Sequence, residues 1–236
     1  MLLALALALH APAFAFETTD TAHLEIKWVR DSAEYQALTR QIYKDAGASV
    51  RDQAAHLKKR TVWTVVLDVD DTTLDTSEYM LDRAAYRLRF DWPSWDAWTE
   101  RRDAPPVPGV VKFIEGVRAE GGRVAWITNR HPGTRQATID DLANNGLWSD
   151  SDVMCTLSDD DAYTKKVRRT ELRSGKGPCA WDGTPVTVLA YLGDAMHDLP
   201  EDGEDGAAAE NLGVRTFVIP NPMYGGFDHA VTRALP

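Results

Sequence analysis

Short apolar runs separated by amphipathic stretches set the pattern of this chain. TVWTVVLD (residues 61–68) is almost continuously apolar and of strand length, and RVAWIT (123–128) is a second run of the same kind. TVLAYLG (187–193) and VRTFVI (214–219) follow, with a shorter run around DVMCTL (152–157). Between them, GVVKFIEGVRAEGG (109–122), GTRQATIDDLANNG (133–146) and AYTKKVRRTELR (162–173) have helical spacing, the first ending on a glycine stop. Upstream, DSAEYQALTRQIYKDA (31–46) puts Tyr35, Leu38, Ile42 and Ala46 on one helical face behind an Asp31/Glu34 capping box. Buried strands alternating with helices predict an α/β fold, a Rossmann-like doubly wound parallel sheet, because parallel strands need helical crossovers. The 31–46 stretch adds an N-terminal helix packed on that body.

Residues 76–106 break the alternation. They separate the first strand from its crossover helix and hold Trp92, Trp95 and Trp98 within one short segment. A small helical elaboration that buries its own aromatics is one reading. A cap over the strand ends is the sharper one, since ligands in such sheets bind outside the carboxyl ends of the strands.

Composition narrows the functional classes. With 236 residues, 44% hydrophobic and 26% charged, the chain has enough apolar material for a full core. A net charge of -10 and a pI near 5.0 argue against a nucleic-acid polymer as partner, which would be held by clustered Lys and Arg. A small phosphate ester needs only a local positive pocket. The first residues, MLLALALALHAPAFAF, form an apolar stretch too short to cross a bilayer, followed by Ala13-Phe14-Ala15 before the first acid at Glu17. This predicts a signal peptide over 1–15, cleaved to leave a mature chain from residue 16, although the usual basic residue ahead of the apolar core is missing. No cysteine lies near the cut, so no stable membrane anchor is expected. The two cysteines, Cys155 and Cys179, are compatible with a disulfide in an exported protein without requiring one.

The candidate chemistry falls where the strands run out. VVLDVDDTTLD (65–75) places Asp68 and Asp70 at the end of the first run, Thr128 ends the second, and Asp194 follows TVLAYLG. In a doubly wound sheet these ends converge. Two carboxylates at i and i+2, with a third nearby, are unfavourable without a cation, and oxygen-only ligands suit magnesium (Mg2+) together with a substrate phosphate. One aspartate can then act as nucleophile while its neighbour handles the leaving group's proton. Lys165 and Thr128 would hold phosphate oxygens. Asn129 and Arg130 would either touch the phosphate or close their loop, and His197 is either a proton-transfer group or a neutral surface histidine. SDDDAY and PEDGEDG read as solvated loops, with Ser158 or Asp159 available to cap the next helix.

At these residues the chain resembles the haloacid dehalogenase (HAD) superfamily of phosphohydrolases, and within it the bacterial class C nonspecific acid phosphatases and lipoprotein-e-type 5'-nucleotidases of subfamily IIIB. LDVDDTTLDTSEY, WDAWTERRDAPPVPGVVKF, TNR, YLGDAMHD and IPNPMYG carry the resemblance in the same order. It implies one HAD-like domain over 16–236 with residues 76–106 as the cap-like insertion. It also implies an Mg2+-dependent phosphomonoesterase acting on nucleoside monophosphates and other small phosphate esters, periplasmic or secreted. The roles it carries over are Asp68 as nucleophile, Asp70 as acid and then base, and Asp68, Asp70 (through its carbonyl), Asp194 and Asp198 around the metal. Thr128 and Lys165 contact phosphate, and Tyr79 and Tyr224 lie near substrate. Asp71, Thr73, Ala195 and Leu199 depart from the family's preferred residues. A phosphotransferase would share every one of these residues, and a non-catalytic binding or storage protein on the same scaffold is the other alternative. Homo-oligomerisation is left open.

Overall fold

The structure is a computed structural model and describes residues 23–160, 162–207 and 209–226. The signal-peptide segment 1–15 lies outside the described residues. Five parallel strands, β1 (Trp63–Leu67), β2 (Arg123–Ile127), β3 (Val153–Cys155), β4 (Thr187–Gly193) and β5 (Thr216–Val218), form one sheet in the order β3-β2-β1-β4-β5. All five residues of β1 are buried. Alternate side chains explain why: Val65 and Leu67 enter one apolar cluster and Val66 enters another on the opposite face. From β1 the chain builds outward through β2 and β3 on one side, and through β4 and β5 on the other. The strand order therefore reverses between β1 and β4, which is where such sheets open a binding crevice. Leu67 lies opposite Trp126 of β2 and Leu192 of β4, so the residues just beyond the three strands are neighbours.

The helices are α1 (Leu24–Asp31), α2 (Ala33–Ala55), α3 (Ser77–Ala85), α4 (Trp92–Thr99), α5 (Val110–Ala119), α6 (Arg135–Asn144) and α7 (Lys165–Ser174). Helix α2 packs along α5 on one face of the sheet, and Gly109 permits the approach. A Cβ there would lie 2.9 Å from the Arg40 backbone, and its φ of 107° also favours glycine. On the other face, Leu172 of α7 joins Trp181, Val186 and Cys179. Cys155 at the end of β3 is disulfide-bonded to Cys179, which ties the segment after α7 to the sheet.

Three local expectations are corrected. The face of α2 that meets the core is Tyr35, Thr39, Tyr43, Ala46 and Val50, while Leu38 is exposed. Hydroxyls can occupy this face because the backbone satisfies them: Thr39 Oγ1 donates to the Tyr35 carbonyl at 3.0 Å, and the Tyr43 hydroxyl donates to that of Thr72. The cap of α2 is Ser32, whose Oγ accepts from Tyr35 N at 3.0 Å, because a separate helix, α1, already occupies residues up to Asp31. Helix α7 is capped by Thr164, whose Oγ1 accepts from Val167 N at 3.4 Å, rather than by Ser158 or Asp159.

The insertion is pinned at both ends, by Asp75 N donating to the Pro105 carbonyl at 2.8 Å and Val107 N to that of Thr73 at 2.9 Å. Its helices α3 and α4 pack through rings. Tyr79 meets Trp95 edge-on at 4.9 Å, and Trp95 stacks on Trp98 at 5.2 Å. Among the described residues no helix is long and apolar enough to cross a membrane.

Candidate active site at the strand ends

The loop after β1 is built to present aspartates. Asp68 N donates to the Leu192 carbonyl at 3.1 Å, and Thr73 Oγ1 donates to the Asp68 carbonyl at 2.7 Å, so the first acid is held between β4 and its own loop. Asp71 adopts a left-handed φ of 51°. Its carboxylate accepts from Thr76 N at 3.0 Å, from Thr76 Oγ1 at 2.6 Å and from the Tyr224 hydroxyl, which closes the turn and anchors the C-terminal IPNPMYG segment against it.

From β4 and the turn beyond it come Asp194 and Asp198. Asp194 accepts from Thr72 Oγ1 at 3.1 Å and from Asn221 Nδ2 at 2.8 Å, and Asp198 Oδ2 accepts from Ala195 N at 2.9 Å. Gly193 makes this turn possible, since a Cβ there would lie 2.2 Å from the Asp198 Cβ. Helix α7 starts at Lys165, whose buried Nζ donates to Asp68 Oδ1 and Asp198 Oδ1 at 2.5 Å each. Lys166, one residue on, instead points to the Asp202 carbonyl at 3.2 Å.

The electrostatics are unbalanced. Burial pushes the Asp68 carboxyl well above the usual range; Lys165 opposes that shift, while Asp198, Asp194 and Asp70 add to it. Burial, then Asp198 and Asp71, push Asp194 up to about 7. Burial alone would lower Lys165, but Asp68 and Asp198 raise it, so it stays charged at neutral pH. A single ammonium thus faces Asp68, Asp194 and Asp198, each of which offers a carboxylate oxygen within 4.8 Å of the others. This donor set fits a divalent cation, which would supply the missing positive charge.

Thr128 is fully buried beyond β2, its N donating to the Cys155 carbonyl at 2.9 Å. Arg168, buried on α7, donates to the Thr128 carbonyl at 2.5 Å and to Asn129 Oδ1 at 2.7 Å, so the Thr-Asn loop is clamped from the helix that carries Lys165. Arg130 turns inward to Asp70. His197 is exposed, with Nε2 3.4 Å from Asp198 Oδ1.

A cavity of about 330 Å³ opens beside these groups. Asp70, Asn129, Asp194 and Asp198 line its polar end, and Phe90, Trp92, Trp95 and Tyr224 supply its rings. Of the two tyrosines singled out in the sequence, Tyr224 lines the cavity. Tyr79 is buried within the insertion, its hydroxyl 2.9 Å from Ser94 Oγ. Arg168, Thr72 and Asn221 are site residues with no individual role assigned from the sequence. Arg168 stands three residues after Lys165 on a helix, Thr72 lies within LDVDDTTLDTSEY and Asn221 within IPNPMYG, so each had a signal in its motif.

The chain is 28% identical to acid phosphatase 1 of Solanum lycopersicum over 165 residues, covering 70% of this chain and 59% of that protein. It is 24% identical to the stem 31 kDa glycoprotein of Glycine max, covering 67% and 58%. The chain therefore spans somewhat under two thirds of the length of these two relatives. In fold it is similar to the class C acid phosphatase of Bacillus anthracis, with a TM-score of 0.70 and 21% identity over 89% of this chain and 90% of that one. A tungstate-bound crystal structure of the same phosphatase matches with a TM-score of 0.70 at 22% identity. The profile of the HAD superfamily, subfamily IIIB (acid phosphatase), matches residues 4–227, nearly the whole chain, and the protein belongs to that family.

Proposed function

We propose that this protein is an exported, Mg2+-dependent phosphomonoesterase that hydrolyses small phosphate esters, nucleoside monophosphates among them, through an aspartyl-phosphate on Asp68. The observation that carries the reading is the meeting of Asp68, Lys165 and Asp198, all buried, with the half-buried Asp194, from the ends of β1 and β4 and the start of α7. Family membership supports the reaction class.

Asp68 Oδ1 is taken by Lys165, so Oδ2 is the oxygen that attacks phosphorus. As that bond forms, the bond to the leaving-group oxygen breaks, and Asp70 delivers a proton to it. Water then attacks the phosphorus of the aspartyl-phosphate, Asp70 takes its proton, and Asp68 is released with inorganic phosphate. Lys165, the Thr128 hydroxyl and Asn129 would hold phosphate oxygens. Asp68, Asp194, Asp198 and the Asp70 carbonyl would hold the cation, which neutralises phosphate charge and keeps Asp68 ionised when bound. The ring-lined cavity suits a flat aromatic leaving group such as a base or aryl ring. The leader-like first residues support export, and the need for a protonated Asp70 in the first step is in keeping with an acid optimum.

The test is phosphate release from p-nitrophenyl phosphate by the mature chain. Release with Mg2+ that disappears with EDTA and in Asp68→Asn supports the reading. No release from folded, Mg2+-loaded protein between acid and neutral pH would refute it.

A further inference from the structure

Arg130 has no part in the reaction proposed above, yet it is fully buried and its hydrogen bonds are all directed inward. Nε and Nη2 both donate to Asp70 Oδ1, at 2.9 and 2.7 Å. Nη1 donates to Thr138 Oγ1 on α6 at 3.2 Å, and the Arg130 backbone N donates to Thr128 Oγ1 at 3.1 Å. Its guanidinium carbon lies 5.8 Å from the Trp95 ring centroid and 6.0 Å from that of Trp98. The side chain therefore touches three parts of the molecule at once: the catalytic loop, the core helix α6 and the insertion.

A buried guanidinium needs a counterion, and Asp70 would serve that purpose without any catalytic consequence. The geometry goes further than charge balance. Both donors converge on one oxygen of Asp70, which fixes the carboxyl's rotation and leaves Oδ2 as the oxygen available to the cavity that Asp70 lines. A proton-transfer group must be held close to its working orientation, and an unrestrained aspartate has several.

We propose that Arg130 is a positioning residue: it locks Asp70 so that Oδ2 faces the leaving group, and the stacked Trp95–Trp98 pair of the insertion holds Arg130 in place. This rests on the acid role of Asp70 in the proposed function. In the first step the proton on Oδ2 passes to the leaving oxygen as its bond to phosphorus breaks and the bond from Asp68 forms. In the second, the same oxygen receives a proton from water as the water–phosphorus bond forms and the Asp68 bond breaks.

The experiment compares kcat/KM, which reports every step up to departure of the leaving group, for two Mg2+-saturated substrates. One is 2,4-dinitrophenyl phosphate, whose leaving group departs without a proton, and the other is an alkyl phosphate, whose leaving group needs one. Arg130→Gln is expected to lose roughly 10²-fold on the alkyl ester and only a few-fold on the aryl ester, with partial recovery in Arg130→Lys. Thr138→Val, outside the cavity, should show the same split at smaller size, and it decides the matter where Arg130→Gln does not fold. Equal losses on both esters in folded variants would make Arg130 purely structural and overturn the proposal. Asp70→Asn is run alongside as the reference. If it shows no split, the acid role itself fails; if it shows a split that neither Arg130→Gln nor Thr138→Val reproduces, the positioning role alone fails.

Discussion

At the strand ends, three carboxylates are gathered within 4.8 Å of one another against one lysine, and burial pushes two of them, Asp68 and Asp194, above the usual carboxylate range. A short distance away, in the insertion, Tyr79, Trp95 and Trp98 pack ring on ring, and the Tyr79 hydroxyl meets Ser94. The two regions are similarly buried and opposite in kind. The insertion gains stability from its contacts, whereas the acid centre is held together by the surrounding sheet and has a deficit of positive charge. A region assembled against its own electrostatics in this way is a mark of function, and an aromatic cluster of similar burial is not.

The contrast can be broken at several points. Asp68→Asn should remove the nucleophile while leaving the fold, lowering kcat by roughly 10⁴-fold or more in a steady-state assay with little change in far-UV circular dichroism. Trp98→Ala acts the other way: loss of a buried ring should cost about 3–5 kcal/mol in the insertion, read as lowered denaturant resistance or earlier proteolysis between residues 76 and 106. Gly193→Ala drives a methyl into Asp198 and should cost about 1–3 kcal/mol in denaturant melts, with a larger loss of activity because the proposed cation ligand Asp198 is displaced.

Proton linkage sharpens the same comparison. Asp194 titrates near 7 in the cation-free protein and near 3.9 when unfolded, so the native state binds more protons in that window. Its contribution to stability is complete below the lower value and is lost as pH rises through the upper one. In EDTA, Tm should therefore fall as pH rises from about 4 to about 7, and Asp194→Asn should flatten that fall. Adding Mg2+ should raise Tm most at the upper end of the window. The smallest effect is expected from Trp92→Ala. Trp92 is 41% exposed and lines the cavity beside His131, so its loss should change stability by less than about 1 kcal/mol and appear instead as a several-fold rise in KM for aryl phosphates.

Much of this arrangement was legible in the sequence because strand ends are marked by an abrupt change from apolar to acidic residues. Asp68, Asp70 and Asp194 stand at such breaks, and the parallel sheet brings them together without further information. Lys165 and Lys166 are adjacent in sequence, and the structure buries the first and leaves the second half-buried. Contacts between residues distant in sequence left no trace. Arg130 reaches Asp70 across 60 residues, and Arg168 reaches Asn129 across 39. The sequence left Arg130 between touching phosphate and closing its loop, and the packed structure shows it and Arg168 to be fully buried. The same holds for the disulfide, whose cysteines are 24 residues apart and meet because the segment after α7 folds back over the end of β3. The misjudged face of α2 has a related cause, since periodicity ranks Leu38 above Thr39 and Tyr43, yet the hydroxyls of the latter two find carbonyl partners inside.

The central claim is that Asp68 carries the phosphoryl group. The most direct measurement is an acid quench of the Mg2+-loaded enzyme during turnover of p-nitrophenyl phosphate, followed by digestion at low pH and peptide mass spectrometry. Phosphoryl mass on the peptide containing Asp68, absent in Asp68→Asn, is the predicted result. Steady hydrolysis with no phosphopeptide at any quench time, or with the label on another residue, would contradict it.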